Sequence, residues 1–307
     1  MRTVLNLRCL GGVITRTLLL AVTAVAMPLG CLDRTDAEVV EPTGPWPNEP
    51  PGFVVLTDQR WESFRSPGWV HQNRRARSRV IVDPGAPFPS KHVLEHEYPL
   101  GFIGGYEPAV DWHPLPDVRS LFVGFWWRAS PVWLGHSVVN KLTFTMQVQR
   151  PSGDATASAI VAFGPSPYLA ETGKMGPWTV RVAIEFPTSN GHVPNSTGDD
   201  TGSRNLFGNS EPLIRQGDGW HRVELLLIKS TTATSRDGTV RWWVDGNLSG
   251  DYTTVNFDQR PFGEFQIAPT WGGLGEVKTR RDYLRFGPTR ISHPPERVEP
   301  PVTPRER

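Results

Sequence analysis

Apolar residues in this chain recur every second position, and thirty prolines and thirty glycines break up any window long enough for a helix. Leu142, Phe144, Met146 and Val148 alternate with Lys141, Thr143, Thr145, Gln147 and Gln149, the period of a strand with one buried face. Val180, Val182, Ile184 and Phe186 alternate with Arg181, Ala183 and Glu185 in the same way. Leu94 and Tyr98 oppose Glu95 and Glu97, with His96 on the apolar side. Further strands are expected at Phe53–Leu56, Val80–Asp83, Leu121–Ala129, Ala157–Phe163, His221–Lys229, Val240–Val244, Glu264–Ala268 and Tyr283–Ser292. Asp245-Gly246 supplies the positive φ of a tight hairpin, and Asp218-Gly219 and Asp237-Gly238 are similar turns. So many half-buried strands predict an all-β fold, a jelly-roll β-sandwich of two antiparallel sheets. Pro187 to Gly217 carries no strand pattern and reads as a long loop, of the kind that is functional or disordered.

The ends read differently. Arg2, Arg8 and Arg16 precede a 14-residue apolar run, Thr17 to Gly30, followed at once by Cys31. That run is short of the roughly 20 residues of a membrane span and fits a secretory leader over 1–30. Leu29-Gly30-Cys31 resembles the end of a bacterial lipobox, although Pro28 stands where leucine is usual. The expectation is therefore an exported chain lipidated at Cys31 and held at the outer membrane or cell surface, otherwise periplasmic or secreted. The mature chain would keep a single cysteine and no internal disulfide. Residues 31–52 read as a Pro- and acid-rich tether, 53–292 as the jelly-roll domain, and 293–307 as a disordered tail. Taking the three leader arginines from 32 basic residues leaves 29 against 31 acidic ones, so nothing points to nucleic acid. Arg74-Arg75-Ala76-Arg77-Ser78-Arg79 is the dense basic run, a solvated loop or a contact for an anionic ligand.

Several blocks together resemble concanavalin A-like jelly rolls of the polysaccharide lyase type, related to alginate and glucuronan lyases. They are Val93–Gly101 (VLEHEYPLG), Leu121–Trp127 (LFVGFWW), Asn140-Lys141-Leu142, Gly219–Glu224 (GWHRVE), Trp243–Gly246 (WVDG) and Trp271-Gly272-Gly273 with Asp282-Tyr283. The resemblance spans Phe53 to Ser292. It implies a sheet that holds a glycan, and in an enzyme a Tyr or His acid and base with an Arg, Gln or Asn on the uronate carboxylate. Here Glu95 follows Leu94 where those lyases often carry an arginine, and the Trp242-Trp243 strand has no tyrosine partner.

Candidate residues follow from both lines. Lys141, Thr143, Thr145, Gln147 and Gln149 form a polar track that Arg181 and Glu185 could join, either a binding face or the solvent side of an outer sheet. Lys141 and Arg181 suit a carboxylate, through a point charge and a planar fork. In the lyase reading Lys141, Gln147 and Arg181 handle the carboxylate and a base such as His136 takes the proton. Glu95 and Glu97 share a strand face about 6.5–7 Å apart, a spacing paired hydrolase carboxylates use. Trp133 and Trp271, and with less support Trp112, are candidate platforms for a sugar ring. His96 reads as a buried, hydrogen-bonded histidine and His221 as a turn anchor. No cofactor is required and no histidine pair has zinc spacing, but Asp199-Asp200 could assist calcium. The expected partner is a polysaccharide or oligosaccharide. A glycan-binding protein, a uronate lyase acting by β-elimination, a glycoside hydrolase and a purely structural envelope role all remain open.

Overall fold

The computed structural model describes residues 46–73, 78–147, 157–165, 173–185, 203–209, 212–232, 234–257 and 259–295. The strands fall in the unit spanning Val40–Arg307. In chain order they are β1 (Val54–Gln59), β2 (Val70–Asn73), β3 (Ser78–Val82), β4 (His92–Tyr98), β5 (Ala109–Val118), β6 (Ser120–Ala129), β7 (Asn140–Gln147) and β8 (Ala157–Gly164). There follow β9 (Thr179–Glu185), β10 (Ser203–Phe207), β11 (His221–Ile228), β12 (Gly238–Val244), β13 (Asn247–Val255), β14 (Phe262–Ile267) and β15 (Asp282–His293). Among the described residues they form two antiparallel sheets. One has eight strands in the order β13-β12-β11-β6-β15-β4-β3, with β1 also on β15; the other has seven, β10-β9-β8-β7-β14-β5-β2. The chain is thus the all-β, two-sheet sandwich of the jelly-roll type.

The alternating runs form strands because one face of each goes inside. Leu94 and Tyr98 of β4 and Val123, Phe125 and Trp127 of β6 meet Phe163 of β8 and Val180 and Val182 of β9 in one core. Trp127 and Phe163, from opposite sheets, have ring centroids 4.7 Å apart. At the β12–β13 hairpin Asp245 and Gly246 take φ of 51° and 83°, the pair of positive values such a turn demands. The Asp245 carboxylate accepts from the Arg222 backbone N–H at 2.7 Å and meets His221 Nδ1 at 2.8 Å, so His221 ties the start of β11 to the β12–β13 hairpin.

Four strands escaped the pattern. β5 carries Pro114 and Pro116, which argue against a strand. Its partner β2 covers only Ala109 to Trp112, so both prolines fall where one edge is free and a missing N–H costs little. β10 lies inside the stretch read as a strandless loop and pairs along β9, while β2 and β13 lack clean alternation. A second difference concerns the amino-terminal boundary. Trp46 to Pro50, read as tether, packs on the outside of the eight-stranded sheet. Asn48 donates from its backbone N and its Nδ2 to the buried Glu224, at 3.0 and 2.9 Å. The Trp46 ring lies over Gly124, where an added Cβ would come within 2.7 Å of it.

Candidate functional site

The outer face of the seven-stranded sheet gathers the predicted cations. Cross-strand register puts Lys141 of β7, Ala162 of β8, Arg181 of β9 and Phe207 of β10 in one row. A neighbouring row runs Val70, Trp112, Gln266, Phe144, Ile160 and Ala183 across β2, β5, β14, β7, β8 and β9. The rows lie two residues apart along β8 and β9, about 6.5–7 Å, and three apart on β7, where a bulge intervenes. Lys141 Nζ bridges them, 5.5 Å from the centre of the Phe144 ring. Gln266 donates to Glu264 on the same face of β14. Trp112, Phe144 and Phe207 are half-buried, offering ring surface beside two positive charges.

Arg181 is the unusual member. It is 9% exposed, yet no carboxylate pairs with it among the described residues. One Nη donates to the Val138 carbonyl at 2.9 Å and the guanidinium lies 5.6 Å over the Phe207 ring. Its Nε is buried without a hydrogen bond, and burial pulls its pKa down. Desolvating a cation without a counter-charge is costly, and a bound anion would offset that cost. Lys141, on the other side of Ala162, has no carboxylate partner among the described residues either.

Other expected residues of the polar track do not join them. The β-bulge between Lys141 and Thr143 puts an extra residue, Leu142, into β7, and one residue of slip exchanges the two faces of a strand. Thr143 and Thr145 therefore stand opposite Val161 and Ala159, and with Gln147 they are buried inward. Phe144 and Met146, expected inside, take the outer face. Thr145 and Gln147 thus belong to the interior and not to a binding surface. Glu185 ends β9 opposite Ser203, and its side chain lies outside the described residues, as do Gln149, Asp199 and Asp200.

Trp133 and Trp271 are not sugar platforms. Both are buried, and their rings enclose Lys278, whose Nζ is 3.5 Å from the Trp133 centroid and 4.8 Å from that of Trp271. Lys278 pairs with Asp282 at 2.6 Å and donates to the Leu134 carbonyl at 2.7 Å. The cation in this aromatic cage is the protein's own.

Glu95 and Glu97 lie on the outer face of the other sheet. Glu95 is buried, with Arg79 at 2.6 Å on one oxygen and Arg285 at 2.8 Å on the other; Arg285 also reaches Asp83 at 2.9 Å. Both oxygens of Glu95 are occupied, so it offers neither acid nor base. Glu97 pairs with Arg281 at 3.0 Å. His136 sits in the loop before β7, buried against Trp271, with Nδ1 accepting from the Val138 N–H at 3.1 Å and Nε2 3.8 Å from Glu276. Burial lowers its pKa more than Glu276 raises it. His96 is buried as expected, between Ser78 Oγ at 2.7 Å and Asp111 at 3.3 Å. Among the described residues no cluster of His, Cys, Asp or Glu could hold a metal ion.

No protein-family model matches the chain, and no curated protein matches it either. Solved structures do. Alginate lyase vAL-1 from Chlorella virus superposes with a TM-score of 0.55 at 14% identity, over 78% of this chain and 99% of that one. An alginate lyase in complex with alginate trisaccharide gives 0.51 at 12% identity, over 76% and 96%. The endo-β-1,4-glucuronan lyase of Trichoderma reesei gives 0.50 at 13%, over 73% and 94%. The chain shares the fold of these polysaccharide lyases.

Proposed function

We propose that the outer face of the seven-stranded sheet binds an acidic polysaccharide. The observation that carries this reading is Arg181, a desolvated guanidinium with no carboxylate partner among the described residues, beside a second unneutralised cation at Lys141 and among the rings of Trp112, Phe144 and Phe207. A uronate polymer matches each feature: carboxylates for the cations, pyranose C–H faces for the rings, and hydroxyls for Gln266 and Glu264. The fold shared with alginate and glucuronan lyases supports the same substrate class. Export, lipidation at Cys31 and presentation at a cell surface belong to this proposal, since such a polymer is met outside the cytoplasm.

Binding is favoured over β-elimination by what surrounds the cations. No histidine or tyrosine stands on the register positions of the two rows among the described residues, and His136 is buried behind Trp271. A lyase would have to bring its proton acceptor from outside these strands. The lyase reading is kept because of the shared fold. Affinity electrophoresis of the full chain in gels containing alginate or glucuronan tests the binding reading, with neutral cellulose derivatives as reference. Retardation by the acidic polymers that salt weakens is the expected result; equal migration in all gels refutes it. Incubation with the same polymers, followed in the ultraviolet for unsaturated uronate ends, tests the lyase reading.

A further inference from the structure

A cavity of about 310 Å³ opens on the other side of the molecule, on the outer surface of the eight-stranded sheet. Trp126 of β6 and Arg222 of β11, register partners, form its floor. The amino-terminal strap supplies one wall through Trp46 and Pro47, and the loop between β3 and β4 another through Phe88, Pro89 and Ser90. Asp58, Arg60, Pro288 and Arg290 close it. The strap is fixed in place by the Asn48–Glu224 bonds and by Glu49, which meets Arg290 at 3.2 Å. The cavity is therefore a built feature that depends on long-range contacts.

Its lining has a consistent chemistry. Trp46, Trp126 and Phe88 give flat aromatic surfaces, and the Arg222 guanidinium already lies 5.7 Å over Trp126. Three arginines face one aspartate. Arg290 is engaged by Glu49 and Asp58 and Arg222 by Glu224. Arg60 is exposed and has no ion-pair partner among the described residues. Such a lining favours a ring with an apolar face and a carboxylate for the free guanidinium fork. The volume lies near the lower end of the roughly 300–1,000 Å³ range of small-ligand sites, which suits one short ligand rather than a run of polymer.

We propose that this cavity binds a carboxylated mono- or disaccharide, its ring stacked on Trp126 and Trp46 and its carboxylate on Arg60. The proposal shares no residue with the acidic-polymer face and stands without it. Isothermal titration of the full chain with glucuronate, and with glucose as the uncharged counterpart, tests it. Glucuronate should bind saturably, and glucose about tenfold more weakly or worse, because it lacks the charge-assisted bond. Arg60→Ala should weaken glucuronate binding to a similar degree and Arg60→Glu should abolish it. Arg60 is exposed and ion-pairs with nothing described, so both variants should melt like the parent. Absence of saturable binding, equal affinity for the two sugars, or an Arg60→Glu variant that binds normally would each overturn the proposal. Loss of binding in Lys141→Ala alone would also overturn it, by placing the sugar on the opposite face.

Discussion

Lys278 should make this protein more stable in alkali than at neutral pH. Its ammonium group is enclosed by Trp133, Trp271 and Tyr98, and Asp282 and the Leu134 carbonyl are its polar partners. Burial outweighs the attraction of Asp282 and pulls its pKa from 10.5 to about 8. Between those values the unfolded chain holds more protons than the folded one, so stability rises with pH across that window and is lost again as pH falls through about 8. The gap of roughly 2.5 units corresponds to about 3 kcal/mol at ~1.4 kcal/mol per unit. Urea unfolding at a series of pH values from neutral to above 10 would measure it, with Lys278→Met as reference because other groups also titrate there. Asp282 keeps its bonds from Ser130 Oγ and the Leu134 N–H in both proteins. The difference between the two proteins therefore isolates the lysine. At neutral pH the variant should be less stable by about 3 kcal/mol or more, since it strands a buried carboxylate, and the deficit should widen as pH rises. A deficit that stays constant over the whole range would refute the argument that Lys278 is held charged against its desolvation.

His96 gives the acid counterpart. Burial lowers its pKa from 6.5 to about 4, so stability should fall by about 3 kcal/mol as pH drops through that interval, and His96→Gln should flatten the fall in urea titrations. Arg181→Met should reduce retention by acidic polysaccharide at least about tenfold without lowering the melting temperature, because it removes a desolvated charge that no described carboxylate neutralises; a large drop in melting temperature would mean the guanidinium is structural. Asn48→Ala removes the Nδ2 donor from the buried Glu224 while its backbone N–H bond remains, and should cost about 2 kcal/mol in denaturant unfolding. If stability is unchanged, the Asn48 side chain does not hold that carboxylate.

The sandwich was legible because its signal is local. Alternation in β4, β9 and β11 and the Asp245-Gly246 turn are written within ten residues each. What failed is set by neighbours distant in sequence. The polar track of β7 inverted because a bulge at Leu142, invisible in the pattern, resets which residues face the core. Pro114 and Pro116 concealed β5, since only the limited length of β2 makes an edge there. Trp133 and Trp271 sit beside glycine or proline as loop tryptophans do, but the cation they enclose comes from Lys278, 145 and 7 residues away in the chain.

The same reasoning separates the charges that matter for binding from those that do not. Glu95 and Arg181 look alike in the sequence: each is the polar member of an alternating strand. Glu95 lies between β3 and β15, and those neighbours bring Arg79 and Arg285 onto both its oxygens. Arg181 lies between β8 and β10, which bring Ala162 and Phe207. One charge is neutralised by the fold, and the other meets no carboxylate among the described residues. Strand order, which no single segment encodes, makes that distinction. It places the case for an acidic ligand on the seven-stranded face and removes the case for paired glutamates on the other.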